Sequence, residues 1–385
     1  MGRLKSERIV TPSAPELSPE TFDALIQASD AFVAAKPWER MADAELFAVE
    51  DEALGWTGWT AVMGGAGDSF GLCSYLGDRG WSQLERLFSA GCGGDCGEDC
   101  SCEDEGEEKE GCGDEACSCE EEGGCGCGAP LDFDYSATLD MFAYCWAPKR
   151  ELAPWDQALL QRLGTPKPGT LRFHQFIRYR PEYLPFLPDE KEARFMTRCL
   201  QAAVLVHQKL VEGVELFPED GSIPKVRFTA QGAVEFGQGE PKAWEEPAPA
   251  PLEAQPDGFA DLKALPRNQE TWQLGDFYCP AQILDGNKRP YHGHMALCVE
   301  AAEGYAYQPE FMKPGSDRAK AAWAALAAAA RKAAALPQTL EFRDEALLTA
   351  LLPPMEGLGL IVRLSETLPA WEEAVAALRE NLEEC

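Results

Sequence analysis

The stretch WQLGDFYCPAQILDGNKRPYHGHMALCV, Trp272 to Val299, decides the fold of the second half of the chain. Two runs of strand-forming residues, Trp272–Leu284 and Tyr291–Val299, flank the turn-forming triplet Asp285-Gly286-Asn287, which predicts a pair of antiparallel strands. A third strand is expected at Tyr305–Gln308. Beyond it the pattern predicts an Ala-rich helix (316–335), a strand (339–343), a helix (344–352), a strand (358–363) and a final helix (369–382). Three strands followed by alternating helices and strands imply a mixed sheet with helices packed on it.

Working toward the N-terminus, residues 239–258 hold five prolines and four glutamates, the composition of a linker. Before it lie a helix at 18–36, strands at Glu45–Glu50, Gly58–Met63 and Ser69–Leu76, and a helix at Asp78–Ser89. Further expected elements are a strand at Ala137–Trp146, a helix at Trp155–Leu163 and a strand at Leu171–Tyr179. A long helix over 190–212 follows, opened by Asp189 and Glu192 in capping-box spacing, then short strands at 225–229 and 233–236. The expected class is α+β with two domains, each a small mixed sheet with packed helices. The N-terminal domain is assigned to 1–238, the linker to 239–270 and the C-terminal α/β domain to 271–385.

Residues 91–128 interrupt the first domain. They contain no Val, Ile, Leu, Met, Phe, Tyr or Trp and so cannot build a core, which predicts a disordered insert. They contain nine of the chain's 15 cysteines: Cys92, Cys96, Cys100, Cys102, Cys112, Cys117, Cys119, Cys125 and Cys127. Three pairs have the form Cys-x-Cys, a spacing that closes a strained disulfide ring but lets two thiolates grasp or bridge soft ions. These nine residues are the candidate ligands for zinc, cadmium or cuprous copper. Fourteen Asp and Glu residues share the tract with one basic residue, Lys109. Their charge raises thiol pKa values until a cation relieves it. No Cys-x-x-Cys occurs, so zinc-ribbon, thioredoxin and ferredoxin signatures are absent. The tract resembles metallothioneins, which implies clustered, bridging thiolate sites. Its acidity departs from their lysine-accompanied pattern.

The formal net charge of −31, from 34 basic and 65 acidic residues, disfavours nucleic acid and anionic membranes as partners. Met1–Glu20 contains no apolar core of signal-peptide length, and the longest apolar run, Ala321–Ala330, is too short to span a bilayer. A cytoplasmic location with metal ions as partners is expected, and clustered cysteines there point to metal or redox chemistry.

The C-terminal order of elements resembles a ribonuclease H-like domain. That resemblance implies metal-binding carboxylates on the first strand, after the fourth and on a late helix, here Asp276, Asp344 and Glu372 or Glu373. Converging, they would suit a divalent-metal-dependent hydrolase, but Asp344 also suits a helix cap, and Glu372 and Glu373 suit the first turns of a helix begun by Pro369. A non-catalytic interaction scaffold is the competing expectation, and the acidic surface further disfavours a nucleic-acid substrate. His292 and His294 alternate on one strand, with Asp276 on the preceding strand as a candidate carboxylate beside them; a solvent-facing pair is the simpler reading. Gly64-Gly65-Ala66-Gly67 reads as a hairpin turn. Arg178 and Arg180 are expected to meet local carboxylates. Cys145, with His174 and His207, has the materials of a thiol nucleophile but sits in a core-like strand.

Lys36-Pro37-Trp38-Glu39-Arg40, Phe47-Ala48-Val49-Glu50-Asp51 and Val62-Met63-Gly64 are together similar to an uncharacterised bacterial N-terminal domain. Pro337 to Arg343, Leu358-Gly359-Leu360 and Leu368-Pro369 resemble the C-terminal domain that accompanies it. The resemblance implies a two-domain bacterial protein and no particular activity.

Overall fold

The computed structural model describes residues 15–67, 69–92, 133–153, 155–156, 162, 171–218, 221–285 and 288–383. They form two sheets, each covered by helices on both faces.

The first sheet has seven strands: β1 (Leu46–Asp51), β2 (Trp56–Met63), β3 (Gly71–Leu76), β4 (Met141–Pro148), β5 (Arg172–Tyr179), β6 (Ile223–Phe228) and β7 (Val234–Gly239). Their order is β5-β4-β3-β2-β1-β6-β7, antiparallel except where β1 meets β6. Alternation along β1 sends Phe47 and Val49 to one face and Ala48 to the other. The Phe47 face is covered by α1 (Pro19–Ala35) and α4 (Glu190–Val211), which bury Phe22, Phe32, Phe195 and Leu200 against it. α2 (Gly77–Cys92) and α3 (Phe133–Thr138) cover the opposite face around Trp59, Tyr75 and Leu84.

Local chemistry sets the helix ends. The Ser18 hydroxyl accepts from Thr21 N, and Pro19 supplies a preset first turn. At α4 the capping box is complete: Asp189 accepts from Glu192 N (3.0 Å), and Glu192 accepts from Asp189 N (2.8 Å).

The second sheet contains β8 (Thr271–Ile283), β9 (Tyr291–Glu300), β10 (Glu310–Met312), β11 (Thr339–Phe342) and β12 (Ile361–Leu364), in the order β10-β9-β8-β11-β12. The first three strands are antiparallel and the last two run parallel to β8. Numbered within the unit this is 3-2-1-4-5. α5 (Phe259–Lys263), α6 (Arg318–Ala333) and α7 (Glu345–Leu358) pack on one face around Trp272 and Leu326. α8 (Pro369–Glu383) covers the other, with Trp371 against Phe277 and Leu297. The Pro/Glu-rich stretch lies on both units: Arg79 of α2 sits over the Trp244 ring, while Leu252, Phe259 and Leu262 are buried beside α7.

Three expectations change. The strand expected at Ala137–Trp146 begins only at Met141, because residues 133–138 form α3, closed by the Thr138 hydroxyl on Tyr135 O. The third C-terminal strand is Glu310–Met312 rather than Tyr305–Gln308. Tyr305 and Tyr307 do bond to β9, but Pro309 has no N–H with which to carry the ladder through. α7 continues through Pro353 and Pro354 to Leu358, and its own Pro354, Met355 and Leu358 are buried, the last two in the core of the second sheet.

Candidate functional site

Asp276 lies on β8 and His294 on β9, and both side chains are buried. His294 Nε2 donates to Asp276 Oδ2 at 2.7 Å, and the His294 ring stacks on Tyr278 with centroids 4.1 Å apart. Arg318, the first residue of α6, donates to both Asp276 oxygens at 2.9 and 2.8 Å. Its Nη2 also reaches Asp344 at 2.6 Å. Burial alone would raise the Asp276 carboxyl, but the hydrogen bonds from His294 and Arg318 override it and hold it at about 2. The same two carboxylates hold Arg318 above its ordinary value despite burial.

The structure thus brings together Asp276 and Asp344, as the ribonuclease H-like resemblance implies, but a guanidinium stands between them. Asp344 also caps α7 through Ala346 N and Leu347 N. Glu372 turns to Arg343 (3.2 Å) and Leu368 N, while Glu373 is exposed. Among the described residues, no group of three His, Cys, Asp or Glu side chains is placed to hold a metal ion. His292 and His294 do not face solvent: both sides of β9 are covered by helices, so both imidazoles are buried.

A second polar centre ties the two sheets together. The capping-box residue Glu192 is 2% exposed and accepts from Arg178 Nε (2.9 Å), Arg180 Nη2 (2.7 Å) and Arg289 Nη2 (3.0 Å). Arg178 also donates to Asp140 and Arg180 to Asp189, so these two arginines meet local carboxylates as expected. Arg289 comes from the other sheet, just before β9. Burial opposes the Glu192 charge, but Arg289 and Arg178 outweigh it and hold the carboxyl below its ordinary range. Beside this cluster, Leu184 N donates to Pro290 O and His292 N to Glu182 O, continuing the join through the backbone.

The thiols divide sharply. Cys73, Cys145, Cys199, Cys279 and Cys298 are free and lie within the sheets or α4. Burial pushes Cys73 and Cys199 up to about 12 and Cys145 to about 11, which leaves them poor nucleophiles and poor ligands. His174, considered as a partner for Cys145, instead meets the Tyr144 hydroxyl and Asp30. Of the nine candidate metal ligands, Cys92 is the last residue of α2; Cys96, Cys100, Cys102, Cys112, Cys117, Cys119, Cys125 and Cys127 lie outside the described residues. The helices on either side of the tract are clasped by buried Gln83. It donates to Thr138 O (2.7 Å) and accepts from Asp140 N (3.0 Å), and its carbonyl accepts from the Tyr135 hydroxyl (2.8 Å). Sequence reasoning found Asp276, Asp344 and Glu192, but missed the arginines that pair with them across the fold, Arg318 and Arg289.

Residues 22–97 and 133–224 match a family model described as Domain of unknown function (DUF7309). Residues 259–379 match a second, Domain of unknown function (DUF6930). The first match breaks over 98–132, which removes most of the cysteine tract from it. No curated protein and no solved structure matches the chain significantly. Among the described residues, no helix is long and apolar enough to cross a membrane.

Proposed function

We propose, for a chain whose two sheets carry two domains of unknown function, that the folded part is a non-catalytic frame for a soft-metal-binding thiolate insert. The metal is zinc, cadmium or cuprous copper, the ligands are drawn from Cys92, Cys96, Cys100, Cys102, Cys112, Cys117, Cys119, Cys125 and Cys127, and the compartment is the reducing cytoplasm.

The segregation of sulfur carries this reading. Thiols in the packed cores are raised out of the reactive range by burial. Those of the tract fall between two helices that Gln83 holds together. Soft thiolates prefer such ions to magnesium or calcium, and a divalent cation offsets the repulsion among the surrounding carboxylates. Nine cysteines suffice for about two or three four-coordinate ions. The non-catalytic half of the reading is supported by Arg318, whose guanidinium neutralises the two carboxylates that a divalent-metal hydrolase would need free.

The test compares the reduced full chain, isolated without an affinity tag, with a variant lacking residues 91–128. Elemental analysis is expected to find zinc, cadmium or copper in the first and none in the second. Metal retained by the deletion variant would refute the assignment to these cysteines.

A further inference from the structure

The junction of the two sheets holds a cavity of about 300 Å³ whose lining is unusual for so acidic a chain. Its lining presents four cations, Arg180, Lys288, Arg289 and Lys313, and one carboxylate, Asp285, while Glu192 and Asp189 pair with Arg180, and Glu192 with Arg289, from behind that lining. The larger cavity between α6 and residues 250–257 has the opposite balance: Glu253, Asp257, Glu310 and Asp317 against Lys320 and Arg331. The two lysines share Asp285, at 3.1 Å for Lys288 and 3.9 Å for Lys313, so one ammonium charge is left over. Both lysine side chains are largely exposed, at 76% and 69%.

The floor, by contrast, is fixed. Arg289 is 11% exposed and pinned by Glu192, and it also donates to Leu187 O at 2.9 Å. Burial and the neighbouring guanidinium groups of Arg180 and Arg178 depress Arg289 to about 10, against the attraction of Glu192, so added negative charge is favoured beside it. The turn that delivers Arg180 is held by Glu182, a non-glycine residue at φ +69°. Its carboxylate accepts from Gly315 N at 2.7 Å. Tyr183 and Tyr291 form an apolar wall, their rings 6.4 Å apart and at 72°. A built cationic floor, exposed ammonium arms and an aromatic wall suit a small anion that carries an organic group.

We propose that this cavity binds the phosphate group of a small organic phosphate ester, with Arg180, Lys288 and Lys313 as its direct ligands. The site draws residues from both sheets, so occupancy would clamp the two units together. It involves no thiol and stands apart from the metal reading.

Isothermal titration of the full chain with phenyl phosphate and, separately, inorganic phosphate tests this. Saturable binding is expected for both, with phenyl phosphate at least as tight because its ring meets the two tyrosines. The Lys288→Gln/Lys313→Gln variant is expected to bind about tenfold or more weakly, while Lys320→Gln/Lys332→Gln, on α6 and outside the lining of this cavity, binds as the parent does. Circular dichroism of both variants confirms that they fold. Lack of saturable binding, or equal affinity in the two double variants, would overturn the proposal. Binding of inorganic phosphate without the ester would overturn its assignment to an organic ligand.

Discussion

Arg289 and Glu192, 97 residues apart in the chain, meet at 3.0 Å across the junction of the two sheets. Glu192 has two roles at once: it closes the capping box of α4 and it anchors the second sheet to the first. Breaking a buried ion pair typically costs about 3–5 kcal/mol, reduced here because Glu192 keeps Arg178 and Arg180. Arg289→Ala is expected to destabilise the chain by about 2–3 kcal/mol in denaturant unfolding. The single transition should separate into two as the units uncouple. An unchanged midpoint would show that the pair contributes little to the junction.

Acid should weaken the second sheet through Asp276. The carboxyl lies at about 2 when folded, against an ordinary value of 3.8, so its contribution is present above about pH 4 and is lost as pH falls toward 2. That contribution is about 2 kcal/mol at neutral pH. The stability gap between wild type and Asp276→Asn is therefore expected to shrink between pH 4 and pH 2. A gap constant across that window would place the role of Asp276 elsewhere.

Arg318 separates the structural from the catalytic account of the same sheet. With the guanidinium in place, magnesium or manganese is expected to leave the melting temperature unchanged. Arg318→Ala, which leaves Asp276 and Asp344 facing each other without a cation, should cost about 2–4 kcal/mol and gain a manganese-dependent rise in melting temperature. Phosphodiesterase turnover by the wild-type chain, lost in Asp276→Asn, would contradict the non-catalytic reading.

Gly293 lies between the two buried histidines, and a Cβ there would run into Cys279 Sγ. Gly293→Ala is expected to cost about 1–3 kcal/mol by overpacking. Cys279→Ala removes the obstructing sulfur, so the double variant should recover part of that loss, a coupling readable in a double-mutant cycle. Strict additivity would mean that the backbone, not the sulfur, sets the cost.

How far the sequence carried these conclusions depended on the range of the interaction. Local signals were reliable: Asp189 and Glu192 announced the start of α4, and the runs around Asp285 announced β8 and β9. The alternation of His292 and His294 showed that they share a face but not whether a helix covers it, because β9 is buried on both sides. Asp276 stood out as a carboxylate on a first strand. Its partner Arg318 lies 42 residues away at the start of an alanine-rich helix, where no spacing rule marks it. Arg289 likewise gains its role only when the two sheets meet. The cysteine tract is the reverse case, since the proposal made for it rests on residue type and spacing.

The central claim is best tested by native mass spectrometry of the reduced full chain titrated with cadmium, alongside the ultraviolet thiolate-to-metal charge-transfer band. The account predicts about two or three bound ions, a band that grows in step with them, and loss of both when residues 91–128 are removed. A reduced chain that takes up no cadmium and develops no band would contradict it.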